Sequence, residues 1–122
     1  MPRDIRIIHA HEFIKATPEG QLDLEATKKV LLQIAAASAP ADDYDVVLDT
    51  RKAQSEMSAG DLWDLAAELH KSREAFSRKT AVLVPLDRLD YAAFFSLCAQ
   101  ERGFDVSAFT SYGDAMTWLV GT

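Results

Sequence analysis

The sequence predicts an α/β fold: a mixed, mostly parallel sheet of about five strands with about four helices. Two observations lead to this prediction. Short apolar or alternating stretches, which are typical of strands, are followed repeatedly by stretches whose apolar residues recur at helical spacing. A length of 122 residues is that of one domain, which we expect to extend over residues 1–122.

Two short strands and a helix are predicted at the N-terminal end. Residues 5–8 alternate partially, and residues 11–16 follow closely enough to pair with them as a hairpin. A break at residues 17–20, which contains proline and glycine, ends the second strand. A helix is predicted over residues 23–38, because Leu24, Leu31 and Ile34 fall on one stripe.

The middle of the chain is predicted as strand, loop, helix and strand. Residues 44–49 are rich in β-branched side chains and are followed by a loop over residues 50–57. Ser58 is the predicted N-cap of the second helix, and Asp61 is the acidic partner of a capping box. Residues 80–84 are nearly all apolar, which indicates a strand buried on both faces.

A third helix, a strand and a closing helix complete the predicted order. The third helix begins near Asp87, and its apolar residues surround much of its circumference, so it is either deeply packed or partly facing a partner. Gly103 is placed for its C-terminal cap. Residues 104–109 alternate as a half-buried strand, and Ser111 begins the last helix. The resulting order, β-β-α-β-α-β-α-β-α, implies mostly parallel strands with an antiparallel first strand.

Charge and composition argue against several classes of partner. The formal net charge is −6, and no dense stripe of Lys and Arg compensates for it, so we expect no nucleic-acid partner. No apolar stretch is long enough to span a bilayer, and charges interrupt the N-terminal residues, so we predict neither a transmembrane segment nor a signal peptide. A single cysteine suits a reducing compartment, and we expect a cytoplasmic protein.

The motifs of common catalytic sites are absent from the sequence. It contains no Walker loop, no dinucleotide-binding glycine pattern, no nucleophile elbow and no His-Glu-x-x-His. His9 and His11 would share one face of a strand, but no Cys or acidic complement accompanies them, so no metal site is predicted. Cys98 lies in the most apolar helix and is predicted to be a buried structural thiol. We therefore expect neither enzymatic activity nor a cofactor.

The order of the elements resembles a known family. This order, the break at Gly20 before Gln21-Leu22-Asp23, and the ending over residues 108–119 are similar to the SpoIIAA-like branch of STAS/SEC14-type domains. The likeness covers nearly the whole chain and consists of loose hydrophobic patterns in a shared order. It implies a non-enzymatic regulatory or binding module for a protein partner or for a small apolar, lipid-like ligand.

The resemblance also implies a candidate phosphorylation site. STAS domains that antagonise anti-sigma factors carry a loop that ends in Asp-Ser-Ser-Gly, and a partner kinase phosphorylates the first serine. Ser58 matches this serine, whereas Met57 replaces the acid and Ala59 replaces the second serine. The residues themselves favour an ordinary N-cap serine, on the frequency of serine at that position. The phosphoswitch stays the alternative.

Seven residues are candidates for ligand or partner binding. The loop over residues 49–52 follows the central strand at its C-terminal end, where open α/β sheets bind ligands, although it could also be a solvated loop. Three aromatic residues on the second and third helices are either core residues or the lining of an apolar pocket or groove. With the predicted phosphoacceptor, the candidates are Asp49, Thr50, Arg51, Ser58, Trp63, Phe94 and Phe95.

A local basic cluster suggests a third function, at a membrane surface. Lys71, Arg73, Arg78 and Lys79 lie between a helix and a buried strand, where they could face anionic lipid headgroups beside an apolar helix. The alternative, which we favour, is a solvated helix end whose cations complement the helix dipole. The apolar third helix is also compatible with a homodimer.

Overall fold

The structure is a computed structural model that describes residues 7–10, 13–38 and 45–121, with side chains for 13–37 and 45–121. Seven strands and four α-helices form within these residues. Their bounds are β1 (Ile7–Ala10), β2 (Phe13–Ala16), β3 (Gly20–Leu22), α1 (Leu24–Ser38), β4 (Asp45–Asp49), β5 (Ala53–Ser55), α2 (Ala59–Glu68), β6 (Lys79–Leu83), α3 (Leu89–Glu101), β7 (Asp105–Phe109) and α4 (Tyr112–Val120). Short 3₁₀ turns follow α2 and precede α3.

Five of these strands form one sheet in the order β1-β2-β4-β6-β7. β1 is antiparallel to β2, and the three other pairings are parallel. The predicted fold class, a mixed and mostly parallel sheet with four helices, is therefore confirmed, as is the hairpin at its edge. Residues 5–6 and 11–12 of the two predicted N-terminal strands lie outside the described residues.

The remaining two strands, β3 and β5, pair with each other in a separate parallel sheet, with Gly20 opposite Ala53. The sequence analysis missed both strands and placed them in a break and a loop. Segments of three residues are too short to show the period of a strand, and their pairing joins distant parts of the chain. Gly20 has a φ of 89°, in the left-handed region that glycine adopts at low cost, and it starts β3.

The sheet is covered on both faces. On the first face, Val46, Leu48 and Val82 pack in one buried cluster with residues of α1, α2 and α3. On the second face, Val47 and Leu83 pack with α4. Successive residues of a strand point to opposite faces, so β4 and β6 need apolar side chains at nearly every position. The predicted burial of residues 80–84 on both faces is confirmed.

Three of the helix caps lie at the positions that the sequence predicts. The Ser58 hydroxyl accepts a hydrogen bond from the backbone N–H of Asp61, and the Asp61 carboxylate accepts one from the backbone N–H of Ser58. The Ser111 hydroxyl accepts one from the backbone N–H of Asp114. Gly103, with a φ of 91°, follows the end of α3 as a left-handed cap.

The circumference of α3 divides into a buried and an exposed face, so the helix is packed on one side only. Phe95 and Cys98 are buried against the rest of the domain. Phe94 and Leu97 are 40% and 58% exposed.

Candidate functional site

A cavity of about 60 Å³ lies between the sheet and the three helices on its first face. Residues of the sheet and of all three helices line the cavity, including Leu31 of α1, Leu65 of α2, Phe95 of α3, and Val46 and Val82 of the sheet. The described residues that line it are mostly apolar and include no His, Cys, Asp or Glu. The chemistry of the cavity is therefore that of apolar contact with a few polar groups, of which the Arg88 guanidinium is charged.

The cavity follows the direction of the strands. Thr80, Val82 and Val84 line it at alternate positions along β6 and the residue after it. Val46 and Val106 lie opposite Thr80 in the two neighbouring strands and line the cavity as well. With a rise of about 3.3 Å per residue, Thr80 and Val84 are roughly 13 Å apart along the strand, so the lining extends over about this distance in that direction.

The segment between β4 and α2, residues 50–57, closes one end of the cavity, and we call it the covering loop. Thr50, Ser55 and Met57 of this loop contribute to the lining. The hydroxyl and the backbone N–H of Thr50 both donate hydrogen bonds of 2.8 Å to the carbonyl oxygen of Leu83. The start of the covering loop is therefore fixed to the end of β6.

Two residues at the beginning of α3 hold the rest of the covering loop. The Arg88 Nη2 donates hydrogen bonds to the carbonyl oxygens of Thr50 at 2.9 Å and of Ala53 at 2.8 Å. The Tyr91 hydroxyl accepts a hydrogen bond from the backbone N–H of Met57 and donates one to its carbonyl oxygen. Arg88 and Tyr91 also line the cavity. Any widening of this end of the cavity must therefore break these hydrogen bonds.

Ser58 follows the covering loop directly and is exposed. Its hydroxyl oxygen lies 3.1 Å from the backbone nitrogen of Asp61, which confirms the predicted N-cap role. A phosphate on Ser58 would meet the positive end of the α2 dipole, which is favourable, and the nearby carboxylate of Asp61, which is not.

Asp49 and Arg51 form an ion pair on the opposite face of β4 from the cavity. The Arg51 Nε and Nη2 donate to the two carboxylate oxygens of Asp49, each at 2.9 Å, and the Lys15 Nζ lies 3.9 Å from Oδ2. Lys15 also lies 4.8 Å from the centre of the Tyr112 ring. The guanidinium of Arg51 is thus committed to Asp49, and neither residue lines the cavity.

The surroundings of Asp49 shift its titration. Burial by itself would raise the pKa of this carboxyl, but the hydrogen bonds from Arg51 and the charges of Arg51 and Lys15 together hold the pKa below its ordinary value of 3.8. A carboxyl with a lowered pKa in the folded state stabilises the fold at neutral pH. That contribution is lost only as the pH falls below 3.8 and through the folded-state pKa.

The three aromatic candidates separate in the structure. Phe95 is buried and lines the cavity. Trp63 is 48% exposed, with the Arg102 guanidinium 4.7 Å from its ring centre, and Phe94 is exposed as well. Two of the three residues are therefore on the outer surface of α2 and α3, where they could meet a partner, and only Phe95 borders the internal site.

The four residues of the basic cluster each have an intramolecular contact. Lys71 pairs with a glutamate of α2, Arg78 pairs with the aspartate that begins β4, and Arg73 lies 3.5 Å from a histidine nitrogen. Lys79 Nζ donates to the carbonyl oxygens of Trp118 and Gly121 at the C-terminal end of α4. The cations therefore take part in the fold, and Lys79 complements the dipole of α4 rather than that of the helix that precedes the cluster.

Cysteine and histidine contribute no visible chemistry. Cys98 is buried, as predicted, and burial together with the charge of Glu101 raises the pKa of its thiol. The predicted histidine pair cannot be assigned a site, because the side chain of His9 and all of His11 lie outside the described residues. Among the described side chains, no group of three His, Cys, Asp or Glu is placed to hold a metal ion.

None of the described helices is both long enough and apolar enough to cross a lipid bilayer.

The sequence analysis did not predict the roles of three polar residues of the lining, Thr80, Arg88 and Tyr91. Thr80 could have been assigned from the alternation with Val82 and Val84, which places all three on one face of β6. A tyrosine in an apolar helix carries a hydroxyl that needs a hydrogen-bond partner, which was a usable signal for Tyr91. Arg88 offers no local signal, since its acceptors are backbone carbonyls of a distant loop.

Comparisons with solved structures identify the fold. A protein of the DUF3478 family with a SpoIIAA-like fold, from Shewanella loihica PV-4, matches with a TM-score of 0.63 and 17% identity, over 95% of this chain and 92% of that one. The anti-sigma factor antagonist SpoIIAA in its unphosphorylated form matches with a TM-score of 0.57 and 14% identity, over 98% of this chain and 100% of that one. No protein-family model and no curated protein matches the sequence significantly. The chain therefore has a SpoIIAA-like, STAS-type fold, as the resemblance implied.

Proposed function

We propose that this domain is a non-enzymatic STAS-type binding module that takes a small, mostly apolar ligand into the cavity between its sheet and α1–α3. The cavity itself is the observation that supports this function. Its volume of about 60 Å³ is several times the roughly 10–15 Å³ that one water molecule needs. A short hydrocarbon segment fits without rearrangement, and a longer ligand requires the covering loop to move.

The lining supports binding rather than catalysis. Proton transfer and nucleophilic attack need titratable or nucleophilic side chains beside the substrate. The described lining offers no carboxylate, imidazole or thiol, and its tyrosine and arginine are hydrogen-bonded to the covering loop. Burial of apolar ligand surface is the main source of affinity that such a site provides.

A cavity-filling substitution tests the proposal. Ala92 is buried and lines the cavity, whereas its neighbour Ala93 is exposed on the same helix. The protein purified from its own host is expected to carry a noncovalent adduct in native mass spectra that is lost under denaturing conditions. Ala92→Leu is expected to reduce the adduct at least fivefold, because the added carbons occupy the cavity.

Ala93→Leu is the matched control and is expected to retain the adduct, with circular dichroism confirming that both variants are folded. An adduct that survives Ala92→Leu unchanged, or a wild-type protein that carries none, would count against an internal binding site.

A second candidate function is a protein interaction that phosphorylation of Ser58 controls. The exposure of Ser58 favours it, because a kinase must reach the hydroxyl. Trp63, Phe94 and Leu97 add exposed apolar area on α2 and α3, of the kind that interaction surfaces bury.

Intact mass under denaturing conditions tests the second candidate. The protein from its own host is expected to show one added phosphate, which is absent from Ser58→Ala and retained in Ser77→Ala, a control at another exposed serine. Because the phosphate is covalent, it survives the conditions that remove a noncovalent ligand. A phosphate that persists in Ser58→Ala would exclude Ser58 as the acceptor.

A further inference from the structure

A residue in the cavity wall, Thr80, carries a buried hydroxyl group. Thr80 is 5% exposed, and its hydroxyl oxygen has no hydrogen-bond partner among the described residues. Leaving a buried hydroxyl without a partner costs free energy of folding, because the group gives up its hydrogen bonds to water and gains none in return. Native proteins satisfy nearly all such groups, and the exceptions often mark a site that something else completes.

The other hydroxyl groups of the lining differ from Thr80 in this respect. Thr27 donates to the carbonyl oxygen of Asp23 at 2.7 Å, and Thr50 donates to the carbonyl oxygen of Leu83. The hydroxyls of Ser55 and Tyr91 lie within hydrogen-bonding reach of each other, and Tyr91 also bonds to the covering loop. Thr80 is therefore the one residue of the described lining whose hydroxyl has no hydrogen-bond partner, and a ligand that reached this hydroxyl would supply one.

The position of Thr80 defines the orientation of a ligand. Thr80 lies near the beginning of β6, between Val46 and Val106, whereas the covering loop closes the cavity beyond the other end of that strand. Phe76, which is fully buried and precedes β6 by one short segment, also lines the cavity. A polar group of the ligand at Thr80 would thus lie at the opposite end from the covering loop.

We infer that the ligand is a neutral amphiphile with one hydroxyl or carbonyl group, which hydrogen-bonds to the Thr80 hydroxyl, and an apolar part that extends along β6 towards the covering loop. This inference rests on the proposed ligand-binding function and specifies its chemical class. A carboxylate at Thr80 is disfavoured, because the two valines beside it offer no charge to offset its desolvation.

Two probes of equal size test the assignment: 1-pentanol and n-hexane, each with six heavy atoms. Binding is measured from amide chemical-shift changes of the full chain during titration with each probe. We compare the wild type with Thr80→Val, which replaces the hydroxyl by a methyl group of similar volume, and with Thr80→Ser, which keeps the hydroxyl. Thr80→Val is expected to weaken 1-pentanol binding about fivefold and to leave n-hexane binding equal or stronger.

Thr80→Ser is expected to retain the wild-type preference for 1-pentanol. If Thr80→Val changes the affinity of both probes equally or of neither, the hydroxyl does not recognise the ligand, and the inference is wrong while the apolar site stands. If neither probe shifts the amide signals of residues that line the cavity in the wild type, the proposed ligand-binding function fails and this inference with it.

Discussion

Replacing Phe76 by alanine is expected to lower the free energy of unfolding by about 3–5 kcal/mol. Phe76 is 2% exposed, belongs to the main core cluster and lines the cavity. The substitution reduces the apolar surface area that is buried on folding. It also adds the volume of the lost ring to the existing cavity, which the neighbouring side chains leave unfilled. Urea unfolding followed by circular dichroism measures the change in midpoint.

Phe94→Ala is the matched control, because it removes the same ring from a position that is 40% exposed on α3. The expected loss is about 1 kcal/mol or less, since surface substitutions rarely cost more. Equal losses for the two variants would show that the segment before β6 does not pack as described.

Replacing Arg88 by methionine is expected to lower the free energy of unfolding by about 2 kcal/mol and to release the covering loop. The substitution keeps an unbranched apolar stem but removes two hydrogen bonds from a charged donor, those to the carbonyl oxygens of Thr50 and Ala53. Hydrogen exchange of residues 50–57 is expected to accelerate about tenfold relative to the wild type, because local opening of the loop becomes easier.

Arg73→Met is the control for charge and side-chain length, because Arg73 is exposed. Among the described side chains, the Arg73 guanidinium has one hydrogen-bonding contact, a histidine nitrogen at 3.5 Å. This variant should leave exchange in residues 50–57 unchanged. Acceleration of exchange throughout the sheet, rather than in the covering loop, would contradict the role that we assign to Arg88.

The main strands and the helix caps were predictable because their signals are local. β4 and β6 are buried on both faces and therefore carry nearly continuous apolar residues. Ser58 and Ser111 satisfy backbone N–H groups three residues away, so each cap is contained in a short segment of the chain. Such patterns need no knowledge of the rest of the fold.

The candidate site was predictable only in part. Of the predicted binding residues, Thr50 and Phe95 line the cavity, whereas Asp49 and Arg51 pair with each other on the other face of β4. Thr50 lies on a different face from Asp49 and Arg51 because successive side chains of an extended segment point to opposite faces. Trp63 lies outside the cavity because the helix turns it towards solvent.

By itself, the sequence determined the fold class, the order of the main elements and the ends of the helices, because apolar periodicity and capping act over a few residues. Only the tertiary structure decided that β3 pairs with β5, that Arg88 and Tyr91 of one segment hold the covering loop of another, and that Thr80 lines the cavity while its hydroxyl has no partner among the described residues. These features depend on which distant side chains and carbonyl groups the packed layers bring together. No local pattern records that information.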